Sequence, residues 1–312
     1  MRIGTVLSAL FLATLPVMAD EQKLALVASP GELHGTLLDA GKSAPALLII
    51  AGSGPTDRDG NSPLGVRGNT YKLLAEGLAA RGITTLRTDK RGIAESRNAM
   101  TAEADLRIQT YASDAKTWSA DLRKRTGSAC VWLLGHSEGA LLAEMAAQDD
   151  HAICGLILVS GAGRKAGDTL RGQFQQALPD ALRPTALSAL AELEAGHIVA
   201  DPPPPASIFR SSLQPYMISW LEQDPVVLLA KIKMPTLILQ GDADIQISVG
   251  DAKLLAAAKQ DAKLLVLPGV NHILKLAPAD RASNAATYGN PDLPLAPGVV
   301  DAIADFIEKR HL

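Results

Sequence analysis

The sequence predicts an α/β protein with a largely parallel sheet, and three observations predict it. Short apolar runs alternate with helical patterns over most of the chain. Three of those runs, at 46–51, 129–134 and Ile153–Val159, are continuously apolar, as strands covered on both faces are. The alternation then stops at Gly161 and resumes at Thr236, so a helical insertion interrupts one sheet-centred domain.

Each element follows in order. Runs at 23–28 and 34–39 read as two strands with only the turn residues Pro30-Gly31 between them. The buried strand 46–51 leads through a long glycine-rich loop into a helix that Asn69 or Thr70 can cap. Leu73, Leu74 and Leu78 share one face of that helix and Gly82 stops it. A strand at 83–88 ends in the charged loop Asp89-Lys90-Arg91-Gly92, and a helix at 110–124 is closed by Gly127. The strand 129–134 runs directly into Gly135-His136-Ser137-Glu138-Gly139 and a helical stretch at 140–148. After Ile153–Val159 the insertion spans 161–233, with amphipathic pieces at 170–177 and 185–194 and the run Pro202 to Pro205. Strands at 236–240 and 264–267 and a helix at 299–310 complete the core, which comprises 20–160 and 234–312.

Composition excludes several function classes. The 312 residues carry 30 Lys+Arg against 33 Asp+Glu, a net charge of −3, so there is no basic excess to condense on phosphate backbones and no nucleic-acid partner is expected. Two cysteines cannot build a four-thiolate zinc site, and no HExxH or Cys/His cluster at ligand spacing appears, so no metal is expected. The first residues read as a processing signal. Arg2 precedes an apolar run at 3–15, and Val17-Met18-Ala19 puts small residues where a signal peptidase reads, which predicts a signal peptide over 1–19 cleaved after Ala19. The expected location is periplasmic or secreted, with no stable membrane span after cleavage.

Gly135-His136-Ser137-Glu138-Gly139 sits between a buried strand and a helix, the context of a nucleophile elbow. Its glycines permit a tight turn that pushes the serine hydroxyl out above the sheet edge. A serine hydroxyl is barely nucleophilic at neutral pH, so a histidine base and an orienting acid are required. Asp244 follows the strand 236–240 and His272 follows the strand ending at Leu267, each just past a carboxyl end where ligand-binding residues collect. Asp242 lies two residues away on the same loop as Asp244. Asp244 is favoured because Asp242, immediately after the strand, suits an Asx turn. Among the histidines, His34, His151, His197 and His311 lack such a position, and His136 suits packing within the elbow. An oxyanion needs preorganised N–H donors. The backbone of Glu138 supplies one at a helix N-terminus, and Ser53 in the loop Gly52-Ser53-Gly54-Pro55 is the leading candidate for the second, with Gly54 next.

With these residues in place the chain resembles an α/β-hydrolase, in particular a bacterial serine esterase or acyl-hydrolase subgroup carrying G-S-G-P-x-D-R-D-G-N, D-K-R-G and G-H-S-E-G blocks. The order Ser, Asp, His along the chain is also that of this fold. The resemblance implies an eight-stranded sheet whose second strand is antiparallel, helices on both faces, a helical cap after the sixth strand, no cofactor, and ester hydrolysis through an acyl-enzyme on a small-molecule acyl ester. Two departures, Ala51 for a histidine and Ala94 for a glycine, bear on loop geometry rather than on a reacting atom. A peptidase or thioesterase would use the same triad, and a non-catalytic binding protein on this fold is the rival from another class. The oligomeric state is not legible.

Three further readings concern surroundings. Glu138 beside the nucleophile needs a cation, supplied by Arg58, Arg91 or Lys90, unless Asp57, Arg58, Asp59, Asp89 and Arg91 only tie two loops together. Phe209, Tyr216, Met217, Ile218 and Trp220 are candidates both for an acyl pocket and for a plain cap core, and Gly54 joins Tyr216, Met217 and Trp220 as a substrate-contact candidate. The long segment 276–297 is expected to border the site. Cys130 and Cys154 begin adjacent strands, and either a disulfide or two buried thiols is compatible with that placement.

Overall fold

Eight strands form a single sheet in the computed structural model, which describes residues 21–310. The predicted signal segment 1–19, its cleavage point and His311 lie outside the described residues. The strands are β1 Glu21–Val27, β2 Glu32–Leu38, β3 Ala46–Ile50, β4 Thr84–Thr88, β5 Val131–His136, β6 Ile153–Val159, β7 Thr236–Gly241 and β8 Lys263–Leu267, in the spatial order β1-β2-β4-β3-β5-β6-β7-β8. β2 pairs antiparallel with both β1 and β4, and every other pairing is parallel, as the resemblance implied.

Alternation along the central strands divides the core into two layers. Leu47, Ile49, Trp132, Leu134 and Ile157 pack on one face with the helices α1 Thr70–Ala80 and, at the end of the chain, Val299–Glu308. Leu48, Ile50, Leu133, Leu156 and Leu158 face the other way, against α2 Ile108–Thr126, α3 Glu138–Ala146 and a helix at Val249–Ala258. Between β6 and β7 the chain forms α4 Ala166–Ala177, α5 Arg183–Glu194, α6 Ala206–Phe209, α7 Gln214–Leu221 and α8 Pro225–Lys231. Their buried residues, among them Leu170, Phe174, Leu190 and Leu229, join the second layer rather than forming a separate core. A charged clasp fastens this insertion to the sheet domain: Glu103 accepts from Arg210 Nε at 2.8 Å and from Ser212 Oγ at 2.5 Å.

The remaining helices are α9 Val249–Ala258, α10 Arg281–Ala286 and α11 Val299–Glu308. α9 and α10 are absent from the sequence-based reading. α9 is rich in small residues and buries only Asp251, Ala252 and Leu255, so its apolar periodicity is faint, yet Ser248 and Asp251 close a full capping box at its start.

Cys130 and Cys154 are bridged, with Cα atoms 5.2 Å apart. Regular parallel neighbours suit such a bridge poorly, but the β5–β6 ladder is irregular here. Val131 pairs with Ile153 and Trp132 with Gly155, which leaves Cys154 as the extra residue of a bulge, free of regular register. Replacing both cysteines with alanine is expected to cost about 2–4 kcal/mol of stability. Thermal melting of the variant, and of the parent with and without reductant, should show the loss while turnover stays unchanged.

Candidate active site

The strand order reverses about β3, whose neighbours are β4 on one side and β5 on the other. The crevice beyond the carboxyl ends of β3 and β5 is therefore the switch point where open α/β sheets bind ligands. Ile50 of β3 pairs with Gly135 of β5, so the Gly52 loop and Ser137 emerge side by side. The elbow geometry explains its glycines. A Cβ on Gly135 would lie 2.0 Å from the Gly139 carbonyl oxygen, and one on Gly139 would lie 2.3 Å from that of Ile50. Ser137 itself sits at φ 56°, ψ −120°, a strained conformation for a residue with a side chain, and its N–H is anchored on the Val159 carbonyl at 2.9 Å. Glu138 opens α3, so its N–H is among those that no helical carbonyl accepts.

Asp244 and His272 meet across the ends of β7 and β8. His272 Nδ1 lies 2.8 Å from Asp244 Oδ2, while Oδ1 accepts the N–H groups of Gln246 at 2.8 Å and Ile247 at 2.9 Å. Burial works against ionisation of Asp244, but His272 beside it and those two N–H groups outweigh burial and hold its carboxyl below the usual range. Asp242 has a different task. Its carboxylate accepts from Gly269 N–H at 2.6 Å and ties the two loops together, so of the two acids Asp244 is the one that faces His272.

His136 is more than packing. Its Nε2 is 2.7 Å from the His272 carbonyl oxygen, which can only accept, so Nε2 carries the proton and the bare Nδ1 accepts from the Tyr71 hydroxyl at 2.8 Å. Burial, with His272 adjacent, pushes His136 down to about 3, so it remains neutral. The unfolded chain binds this proton from about 6.5 downward and the folded protein only near 3, so protonation favours unfolding across that window and stability falls as pH falls. Melting temperatures at pH 7 and pH 5 should show that fall in the parent and a shallower one in His136→Gln.

A cavity of about 590 Å³ opens between the sheet and the insertion, lined at its base by Ser53, Gly54, Ser137 and Glu138. Tyr216, Met217 and Trp220 line it as well. Phe209 does not. It is fully buried beside Phe174, ring centroids 5.8 Å apart, and Ile218 is packed against the core, so both serve the apolar core that the insertion shares with the sheet. Leu106, Leu141, Leu170, Ile208 and Ile247 are apolar walls that sequence reasoning missed, since they come from five separate segments and carry no local pattern. The segment 276–297 contributes no cavity wall. It buttresses the loops that carry Asp244 and His272, with Asn284 Nδ2 donating to the Ala243 carbonyl at 2.8 Å and Asn271 Nδ2 to Thr287 Oγ1 at 2.8 Å.

The charges around Ser137 resolve into pairs. Lys90 Nζ lies 3.4 Å from Glu138 Oε1, whereas Arg58 pairs with Asp89 and Glu95, and Arg91 with Asp114. Lys90 is thus the cation beside Glu138, and the two arginines serve the loop network. Elsewhere on the cavity wall Arg164 is held by Asp251 at 2.8 Å and Arg210 by Glu103. No cluster of metal-ligating side chains occurs among the described residues.

Comparison with known proteins agrees with this architecture. Residues 64–276 match the family described as serine aminopeptidase, S33. Esterase EstD of Thermotoga maritima is 24% identical over 262 residues, 83% of this chain, and the chain spans 61% of that relative's length. Among solved structures the Pyrococcus furiosus esterase Pf2001 is similar with a TM-score of 0.61 at 16% identity, covering 94% of both chains. Est1E of Butyrivibrio proteoclasticus has a TM-score of 0.60 at 17% identity, covering 92% of this chain and 98% of its own.

Proposed function

The chain belongs to the serine aminopeptidase S33 family of α/β-hydrolases, and from that premise we propose that it hydrolyses neutral carboxylic esters through an acyl-enzyme on Ser137. His272 takes the serine proton through Nε2, the ring nitrogen that Asp244 leaves free, and returns it to the leaving alcohol. Asp244 orients the imidazole, and the N–H groups of Ser53 and Glu138 hold the oxyanion. Water then repeats the sequence on the acyl-enzyme. Residues 161–233 act as the cap that selects the acyl or alcohol group, and the GSGP, DKRG and GHSEG blocks support a kinship with the bacterial esterase-like subgroup.

The observation that carries the choice of an ester is the charge balance of the cavity. An aminopeptidase has to capture an α-ammonium group, which calls for an unpaired carboxylate near the nucleophile. The two carboxylates on this wall are Glu103, held by Arg210 and Ser212, and Glu138, held by Lys90, while the remaining cation, Arg164, is neutralised by Asp251. A cavity with every charge already paired and mostly apolar walls favours an uncharged substrate. The names of the similar proteins, esterases of Thermotoga, Pyrococcus and Butyrivibrio, support the same reading. The family description keeps the aminopeptidase as the second reading.

Turnover of p-nitrophenyl esters of increasing chain length, measured beside aminoacyl p-nitroanilides, separates the two. Ester cleavage exceeding anilide cleavage by about 100-fold or more in kcat/KM, some 3 kcal/mol in transition-state binding, is expected. The reverse preference overturns the assignment. We further propose export to an oxidising compartment, which the Cys130–Cys154 bridge and the predicted 1–19 signal support.

A further inference from the structure

We propose that Lys90 and Tyr71 are positioning residues that clamp Gly52 and thereby aim the Ser53 N–H into the oxyanion hole. The proposal rests on the serine-hydrolase reading above. Both polar groups of Gly52 are held. Its carbonyl oxygen accepts from Lys90 Nζ at 2.6 Å, and its N–H donates to the Tyr71 hydroxyl at 2.9 Å. Each clamp residue is in turn fixed by a neighbour of the nucleophile in sequence. Tyr71 donates to Nδ1 of His136, which precedes Ser137, and Lys90 pairs with Glu138, which follows it. All four residues are buried: Tyr71 and Lys90 are 3% and 8% exposed, His136 and Glu138 6% each.

The physical consequence comes from the planarity of the peptide. In a trans peptide the carbonyl and the following N–H point in opposite directions, and Gly52–Ser53 is not among the cis bonds. An ammonium fixed on the Gly52 oxygen therefore fixes the Ser53 N–H on the opposite side. Glycine has the freedom to let that peptide turn over. If it turned, a carbonyl lone pair would replace a donor, repelling the charge that develops on the substrate oxygen. The two bridges also tie the donor loop to the residues flanking the nucleophile, so donor and nucleophile hold their separation as a unit, the preorganisation that oxyanion stabilisation requires. A third link extends it to the base, because His136 Nε2 donates to the His272 carbonyl.

The test compares the parent with Tyr71→Phe, Lys90→Arg and the double variant Lys90→Met/Glu138→Gln, which avoids leaving a buried carboxylate without its cation. Steady-state kinetics on p-nitrophenyl butyrate, inhibition by an alkyl trifluoromethyl ketone, melting temperature and fluorophosphonate labelling are read for each. Tyr71→Phe and the double variant should lose about 10- to 100-fold in kcat, with KM changed less than about threefold, because the interaction is made in the transition state. The trifluoromethyl ketone, whose adduct carries an oxyanion, should weaken in parallel, whereas Lys90→Arg, which keeps a cation on the Gly52 carbonyl, should retain most of the parental kcat and ketone affinity. Tyr71→Phe and the double variant folding with parental kcat and ketone affinity would overturn the clamp. So would a loss of kcat that follows only the folded fraction, with ketone affinity retained by the folded protein. A parent that neither labels nor turns over esters refutes the underlying hydrolase reading instead, so the two failures are distinct. If the double variant does not fold, Tyr71→Phe alone decides, since it deletes a single hydroxyl.

Discussion

Replacing Ser137 with alanine is expected to lower kcat/KM on p-nitrophenyl esters by about 10⁵- to 10⁶-fold, leaving only the background that binding and oxyanion donors supply. The change deletes the one oxygen that the strained turn presents to the cavity. It alters neither the glycine contacts at Gly135 and Gly139 nor the anchoring of the Ser137 N–H on Val159. Alanine at φ 56° is under the same backbone strain as serine, so melting should move by no more than a few degrees and the loss should lie in kcat. Steady-state kinetics with a circular-dichroism melt checks both. A variant retaining more than about 1% of parental turnover would mean that another group attacks, since a residual of that size exceeds what the oxyanion hole alone provides.

The second large effect is expected at Asp244→Asn, about 10⁴-fold in kcat with nearly native shape. The reason is the directionality of the hydrogen bonds. Oδ1 accepts two backbone N–H groups, and Oδ2 faces His272 Nδ1 together with Gln240 Nε2 at 3.2 Å. An amide NH₂ placed at Oδ1 would confront two donors. Placed at Oδ2 it would confront the Gln240 donor and force His272 Nδ1 to accept, which moves the imidazole proton to Nε2. In that tautomer His272 cannot take the serine proton. Asp242→Asn, two residues away, should change kcat/KM by less than about threefold, because Asp242 only accepts from Gly269 N–H. Parallel kinetics on the two variants settles which acid acts, and equal losses would refute the assignment to Asp244.

Much of the fold and of the site is legible in the amino-acid sequence. Continuously apolar strands, the elbow flanked by strand and helix, and an acid and a histidine each beyond a strand end depend on local sequence, so β3, β5, β6, Ser137 and His272 can be read directly. The antiparallel β2 and the placement of the cap after the sixth strand come from the resemblance. What escapes reading depends on contacts between distant segments. Nothing near Lys90 signals that its ammonium reaches the Gly52 carbonyl, and nothing around Tyr71 signals a partner at His136. The choice between Asp242 and Asp244 rests in the sequence on a turn preference, and only the direction of each carboxylate separates them. The disulfide depends on a bulge that moves Cys154 out of regular register, which no spacing rule contains. The segment 276–297 is expected at the site on length alone. Its short helix and its asparagine contacts instead make it the backing of the loops that carry Asp244 and His272.

The central claim, that Ser137 is an activated nucleophile, is tested most directly by treating the protein with a fluorophosphonate and locating the adduct by peptide mass spectrometry. The account predicts a single stoichiometric adduct on the peptide bearing Ser137. It should be absent in Ser137→Ala and form far more slowly in His272→Ala. A folded protein that forms no adduct, or carries it on another serine, would contradict the account.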